Sequence, residues 1–141
     1  MRYSRRESLA WLSGLLALPA FGAAASPLPS RIFRFSDLPV HGAGASRTRP
    51  VLAGETHTGF HVELHETDLA PGARPHPPHH HRHEEIFLIR EGRLEVTIAN
   101  RSVVLGPGGV AYVASNQEHG VRNPGPAHAQ YFVLALGTDA A

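Results

Sequence analysis

The chain has 141 residues, with 13 Lys or Arg against 12 Asp or Glu, a formal net charge of +1 and no cysteine. Lys is absent altogether and no basic block or aromatic-interleaved basic stripe occurs, so nucleic acid and anionic membrane surfaces are not expected partners. Without cysteine there is neither a disulfide nor a thiolate metal site, which leaves imidazole, carboxylate and other oxygen donors; 11 histidines supply the first of these.

Residues 1–25 run from a charged start (Arg2, Arg5, Arg6) through an apolar stretch, Leu9 to Phe21, to the small residues Gly22-Ala23-Ala24-Ala25. An apolar stretch of about 13 residues is too short to span a bilayer as a helix but suits the middle of a secretory signal. Ala23-x-Ala25 offers a cleavage point before Ser26. Ser4-Arg5-Arg6-x-x-Leu9 resembles the start of a twin-arginine signal, with Ser8 where Phe is usual. That resemblance implies a periplasmic or otherwise exported protein that crosses already folded, so cytoplasmic metal availability would choose the occupant of any metal site. An ordinary basic leader and an uncleaved anchor are the alternatives. Without Arg2, Arg5, Arg6 and Glu7, 10 Arg stand against 11 acids, and no stable membrane insertion of the mature chain is expected.

Residues 26–50 are rich in Pro, Gly, Ser and Arg and are expected to form a loop-rich arm. Its one alternating piece, Ile32-Phe33-Arg34-Phe35, reads as an edge strand that could add to the edge of a second copy, making a homodimer a possible assembly. The remainder, 51–141, is expected to be a single domain. No apolar pattern of helical period persists in it. Strand candidates recur instead at 59–69, 85–90, 93–99, 102–105, 110–114, 120–123 and 130–136. Turn chemistry separates them, including Pro71-Gly72, Glu91-Gly92, Ala99-Asn100 and Asn123-Pro124-Gly125-Pro126. Leu94, Val96 and Ile98 alternate with Arg93, Glu95 and Thr97, the mark of a sheet with one buried and one wet face. Short strands at this spacing predict an all-β sandwich or barrel.

Five imidazoles fall between Gly72 and Gly92, at His76, His79, His80, His81 and His83. In an extended chain His79 and His81 point to one face, His80 to the other, and Glu85 shares the parity of the first pair. His83 has that parity too, so spacing does not exclude it. A solvated histidine-rich loop that buffers metal loosely is equally compatible with spacing alone.

The pattern Gly72-x6-His79-x-His81-x3-Glu85-x6-Gly92 resembles the first motif of the cupin superfamily, one residue longer than usual after the first glycine. A second motif resembles Gly108-x5-Ala114-x-Asn116-x2-His119, with Asn123 four residues on, Ala114 in place of the usual Pro and Asn116 in place of the usual Gly. Together these make the chain similar to small single-domain cupins of type 2, the RmlC-like jelly rolls, over about Leu69 to Asn123. The resemblance implies a small double-stranded β-helix, or jelly-roll, barrel in which His79, His81, Glu85 and His119 bind one divalent transition metal. Fe or Mn is the favoured occupant, with Ni, Cu or Zn as alternatives. Three imidazoles and a carboxylate leave a coordination position open for a small-molecule substrate or ligand.

The function so implied is that of a metal-dependent enzyme of the cell envelope acting on a small organic molecule, foremost an oxygenase-type oxidoreductase resembling the dioxygenases. The alternatives are an isomerase- or lyase-type cupin and a non-catalytic periplasmic binder of a metal or a sugar-like ligand. An inward acid or base near the open position separates enzyme from binder. His61, Glu63 and His65 alternate with Phe60, Val62 and Leu64, and the polar set is expected to face outward; facing inward, Glu63 or His65 could serve as a proton shuttle. Tyr112 and Tyr131 are expected to pack, Phe87 and Ile89 to wall a pocket or fill core, and Asn123 to fix a strand end.

Overall fold

Alternating sequence becomes alternating structure from Ser46 onward, in a computed structural model that describes residues 26–139. Among the described residues the strands are β1 (Ser46–Glu55), β2 (His61–Leu69), β3 (Glu84–Glu91), β4 (Leu94–Ile98), β5 (Arg101–Leu105), β6 (Val110–Val113), β7 (His119–Arg122) and β8 (Ala129–Leu136). All pairings are antiparallel, giving a five-stranded sheet ordered β1-β2-β8-β3-β6 and a three-stranded sheet ordered β5-β4-β7. This is the all-β architecture expected from the strand spacing, in the jelly-roll form that the motif resemblance implied. The expected leader over 1–25 lies outside the described residues. Among the described residues no helix is long and apolar enough to cross a membrane.

The core lies between the sheets, where Phe87 and Ile89 of β3, Val96 of β4, Val121 of β7 and Tyr131 and Val133 of β8 meet, each no more than 4% exposed. Burying each such side chain contributes roughly 2 kcal/mol, and the alternating pattern sets the strand register because a slip of one residue would turn these groups to water. On β4 the wet face is also accounted for. Glu95 accepts two bonds from Arg122 on β7, both at 3.1 Å, and the Thr97 hydroxyl meets Ser102 of β5 at 2.8 Å. The β4–β5 connection is the two-residue hairpin expected at Ala99-Asn100, with φ of 47° and 64°.

Two expectations for the arm are corrected. Ile32–Phe35 is not a strand: Ile32 is 99% exposed and a single 3-10 turn, Phe35–Asp37, ends the piece. The edge on which strand addition to a second copy was based is therefore not there. The first strand is instead Ser46–Glu55, a stretch that reads as loop because of its Arg and Pro. Its outward arginines are partnered across the ladder, Arg47 with Asp68 and Arg49 with Glu66, each at 2.8 Å. Pro50 sits at the register shift between Pro50 and Leu52, on the sheet edge, where a missing N–H is tolerated. The arm lies over this outer face. Phe35 meets Phe132 of β8 edge-on at 6.5 Å, with the Arg90 and Arg49 guanidinium groups 3.9 and 4.9 Å from its ring centre.

Gly92 shows why the β3–β4 turn needs glycine. Its φ is +73°, and an added Cβ would stand 2.3 Å from the His128 carbonyl oxygen. Asn123, wholly buried, fixes the end of β7 as expected: its Nδ2 donates to the Leu69 and Ala127 carbonyls at 2.9 and 2.8 Å, and its Oδ1 accepts from Gly125 N at 2.9 Å. Asn123→Ala strands these buried partners and is expected to cost about 3 kcal/mol, read from the urea midpoint, with metal binding retained.

Candidate metal centre

The site is assembled from both sheets. Glu85 lies near the start of β3 in the large sheet and His119 opens β7 in the small one. The histidine loop between β2 and β3 joins them through an isolated bridge, in which His79 N donates to His119 O at 3.0 Å and His119 N donates to His79 O at 2.9 Å. Asn116 N donates to His81 O at 2.7 Å, pinning the loop a second time. Asn116 adopts φ +60°, which explains its place where glycine is usual, because asparagine tolerates this left-handed conformation.

His79, His81 and His119 thereby present ring nitrogens within 4.8 Å of one another. Glu85 stands beside that triplet, with Oε2 at 3.1 Å from His119 Nε2 and Oε1 at 3.5 Å from His81 Nε2. His80 is exposed and takes no part. The structure therefore brings together all four residues singled out in the sequence.

The hydrogen bonds on the far side of the rings decide what these nitrogens can do. His81 Nδ1 lies 2.8 Å from the His83 carbonyl and His119 Nδ1 lies 2.9 Å from the Gln117 carbonyl. A carbonyl only accepts, so each Nδ1 carries a proton; His119 Nε2 bonds Glu85 at 3.1 Å through a second proton, and once that proton is lost the Nε2 lone pair is left directed toward Glu85. Carboxylate oxygens and bare imidazole nitrogens repel unless a cation, either a proton or a metal ion, lies among them. His81 Nε2 and His79 Nδ1 are moreover buried with no hydrogen-bond partner, a costly arrangement in a protein interior unless a ligand completes it. The donor set fits a divalent transition metal.

Charge within the cluster follows the same geometry. Burial pushes the Glu85 carboxyl up, but the His119 hydrogen bond and the surrounding imidazoles outweigh it and hold the group below the ordinary carboxylate range. Burial pushes His119 down, but its bonds to Glu85 and to the Gln117 carbonyl raise it above an ordinary imidazole. His79 is lowered, first by burial and then by His76, His119 and His81.

Beyond the nitrogens lies a cavity of about 270 Å³ between the sheets. One wall carries hydroxyls from Ser46, Thr48 and Thr67; another is apolar, from Phe87, Val121 and Val133. His65 faces this cavity, which corrects the expectation that the set His61, Glu63 and His65 faces outward. The arm covers part of the outer face of the large sheet at Phe132, and Leu64, on that outer face, is half-buried, while His65 and Thr67 of β2 turn to the site. His65 and Glu85 also border a more open recess of about 360 Å³ that includes His61, Glu63, His83 and Asp139. Tyr131 is buried at the cavity floor, whereas Tyr112 is exposed and donates to Glu84 at 2.8 Å. Sequence reading passed over His76, whose ring stands 4.2 Å from that of His79, and Asp139. Its one available signal for His65 was the shared parity with Leu69, which is fully buried.

Residues 65–135 match the family model described as a cupin domain. The chain belongs to the cupin domain family. Solved structures share this cupin's fold at low identity. An RmlC-like cupin from Shewanella frigidimarina is 17% identical with a TM-score of 0.65, covering 78% of this chain and 93% of that one. A protein described as a predicted oxalate decarboxylase from Thermotoga maritima is 20% identical with a TM-score of 0.68, covering 77% and 100%. The polyketide cyclase RemF from Streptomyces resistomycificus is 19% identical with a TM-score of 0.64, covering 81% and 83%. No curated protein sequence matches this cupin.

The raised His119 has a pH consequence. Below its pKa the ring holds a proton that an incoming metal must expel, so affinity falls as pH is lowered, and the fall begins above the ordinary imidazole value of 6.5. Co(II) titrations between about pH 8 and 6 are expected to show affinity dropping toward about tenfold per pH unit.

Proposed function

We propose that this cupin is an exported metal-dependent enzyme acting on a small organic molecule. An oxygenase-type oxidation with Fe(II) or Mn(II) is the foremost chemistry. The observation that carries the reading is the convergence of carbonyl-fixed imidazoles and Glu85 at the end of a cavity. His79, His81, His119 and Glu85 would hold the ion. When bound, it would supply Lewis acidity and an open coordination position.

The remaining residues suit the handling of such a substrate. The hydroxyls of Ser46, Thr48 and Thr67 can orient its oxygen atoms by hydrogen bonding, while Phe87, Val121 and Val133 bury its carbon skeleton and keep water out. No Arg lines this cavity, so the ion itself and the imidazoles of His65, His76 and His119 would be the groups that meet a polar or charged part of the substrate. His65, 27% exposed and 3.4 Å from Glu63, can hold or release a proton on the cavity side. An inward base of this kind favours an enzyme over a passive binder. Export rests on the twin-arginine-like start and is tested by fractionation of cells making the full chain.

The direct test is metal analysis of the protein exported by its own signal, alongside His81→Ala and Glu85→Ala. About one equivalent of iron or manganese in the wild type, lost in both folded variants, is expected. Metal retained by both variants would end the four-ligand assignment. For catalysis, His65→Ala is expected to keep the metal and lower turnover of an oxidised phenol by about 100-fold or more, read as oxygen uptake.

A further inference from the structure

His83 lies outside the four proposed ligands yet touches two of them. Its carbonyl accepts the His81 Nδ1 proton at 2.8 Å, and its ring lies flat against the His81 ring, with centroids 3.5 Å apart and planes 7° apart. On its other side, His83 Nε2 stands 3.5 Å from Glu85 Oε1. One residue thus fixes the tautomer and tilt of one ligand and borders the carboxylate of another.

His83 is itself held from a distant part of the chain. A single oxygen, Asp139 Oδ1, accepts from Arg82 N at 2.8 Å, from His83 N at 3.3 Å and from His83 Nδ1 at 3.0 Å. Three donors on one carboxylate oxygen fix both the backbone and the ring of the 82–83 turn. His81 Nε2 and His83 Nε2 both stand 3.5 Å from Glu85 Oε1, and His81, His83 and Asp139 bring ligand atoms within 4.8 Å of one another; His83, however, has its Nδ1 engaged by Asp139 and its ring stacked on that of His81. Its geometry is that of a group that orients ligands.

We propose that Asp139 and His83 form a positioning pair for the metal centre. The C-terminal tail folds back and clamps the 82–83 turn, and the clamped turn sets the ring plane of His81 and the direction of Glu85. The inference rests on the metal reading of the site. Removing Asp139 frees the turn, so the ligands must be ordered when the ion binds, and affinity falls.

The test is Co(II) binding to the full chain, followed by titration and by the visible d–d spectrum, for the wild type, Asp139→Ala, Asp139→Asn and His83→Ala. Melting of each metal-free protein controls for folding. Asp139→Ala and His83→Ala are expected to weaken Co(II) binding at least tenfold and to shift the d–d bands, with the metal-free melting temperature unchanged. Asp139→Asn, which keeps an accepting oxygen, is expected to recover most of the affinity. Wild-type affinity and spectrum in Asp139→Ala would overturn the positioning pair while leaving the metal centre intact. A lowered melting temperature with an unaltered spectrum would overturn it equally. If the wild type binds no Co(II), the metal reading fails and the pair with it, an outcome distinct from the other two.

Discussion

Two reciprocal hydrogen bonds between His79 and His119 tie the histidine loop to the small sheet, and the chemistry of the site depends on that bridge. Glu85 belongs to the large sheet, so without the bridge its carboxylate would face β7 but the loop imidazoles would be free to point elsewhere. With it, backbone carbonyls complete the job: His83 O and Gln117 O take the Nδ1 protons and leave the opposite nitrogens bare. The cost of confronting bare nitrogens with a carboxylate is carried by the surrounding barrel, whose core register holds the strands regardless of whether a cation is present. Such preorganisation lowers the ordering cost of binding an ion.

The same barrel divides its interior by chemistry. Toward the nitrogens β2 contributes His65 and Thr67, and β1 contributes Ser46 and Thr48; deeper in, Leu69, Val96 and Ile89 make plain core. An ordinary two-faced sheet would put the polar side of β2 in water. Here the arm shields part of the outer face, anchored by Phe35 against Phe132 and by two guanidinium groups over its ring. The covered outer face can therefore carry apolar residues while the inner one carries the polar groups of the site.

Most of the barrel was legible because strand alternation and turn chemistry are local signals. Strands β2 to β8 lie within two residues of their expected bounds, and the Ala99-Asn100 hairpin follows from its two-residue spacing. β1 was not legible: Arg47, Arg49 and Pro50 look like loop until cross-strand acids and an edge position are known. Ile32–Phe35 misled for the opposite reason, since four alternating residues suggest a strand but only pairing makes one. In the site, parity grouped His79, His81 and Glu85 but put His83 with them, and the choice among these, like that of His119, came from the resemblance to the two motifs. The inward turn of His65 and the reach of Asp139 across 56 residues to His83 depend on tertiary packing, which no local pattern records.

The central claim is that backbone carbonyls fix the ligand imidazoles with Nδ1 protonated and Nε2 bare. Long-range proton–nitrogen correlation spectra of the histidine rings, recorded on metal-free protein at alkaline pH, test it most directly. The account predicts the Nδ1–H tautomer for both His81 and His119, with Nε2 of each losing its free-nitrogen shift when a diamagnetic divalent ion is added. Nε2–H tautomers at these two residues would contradict it.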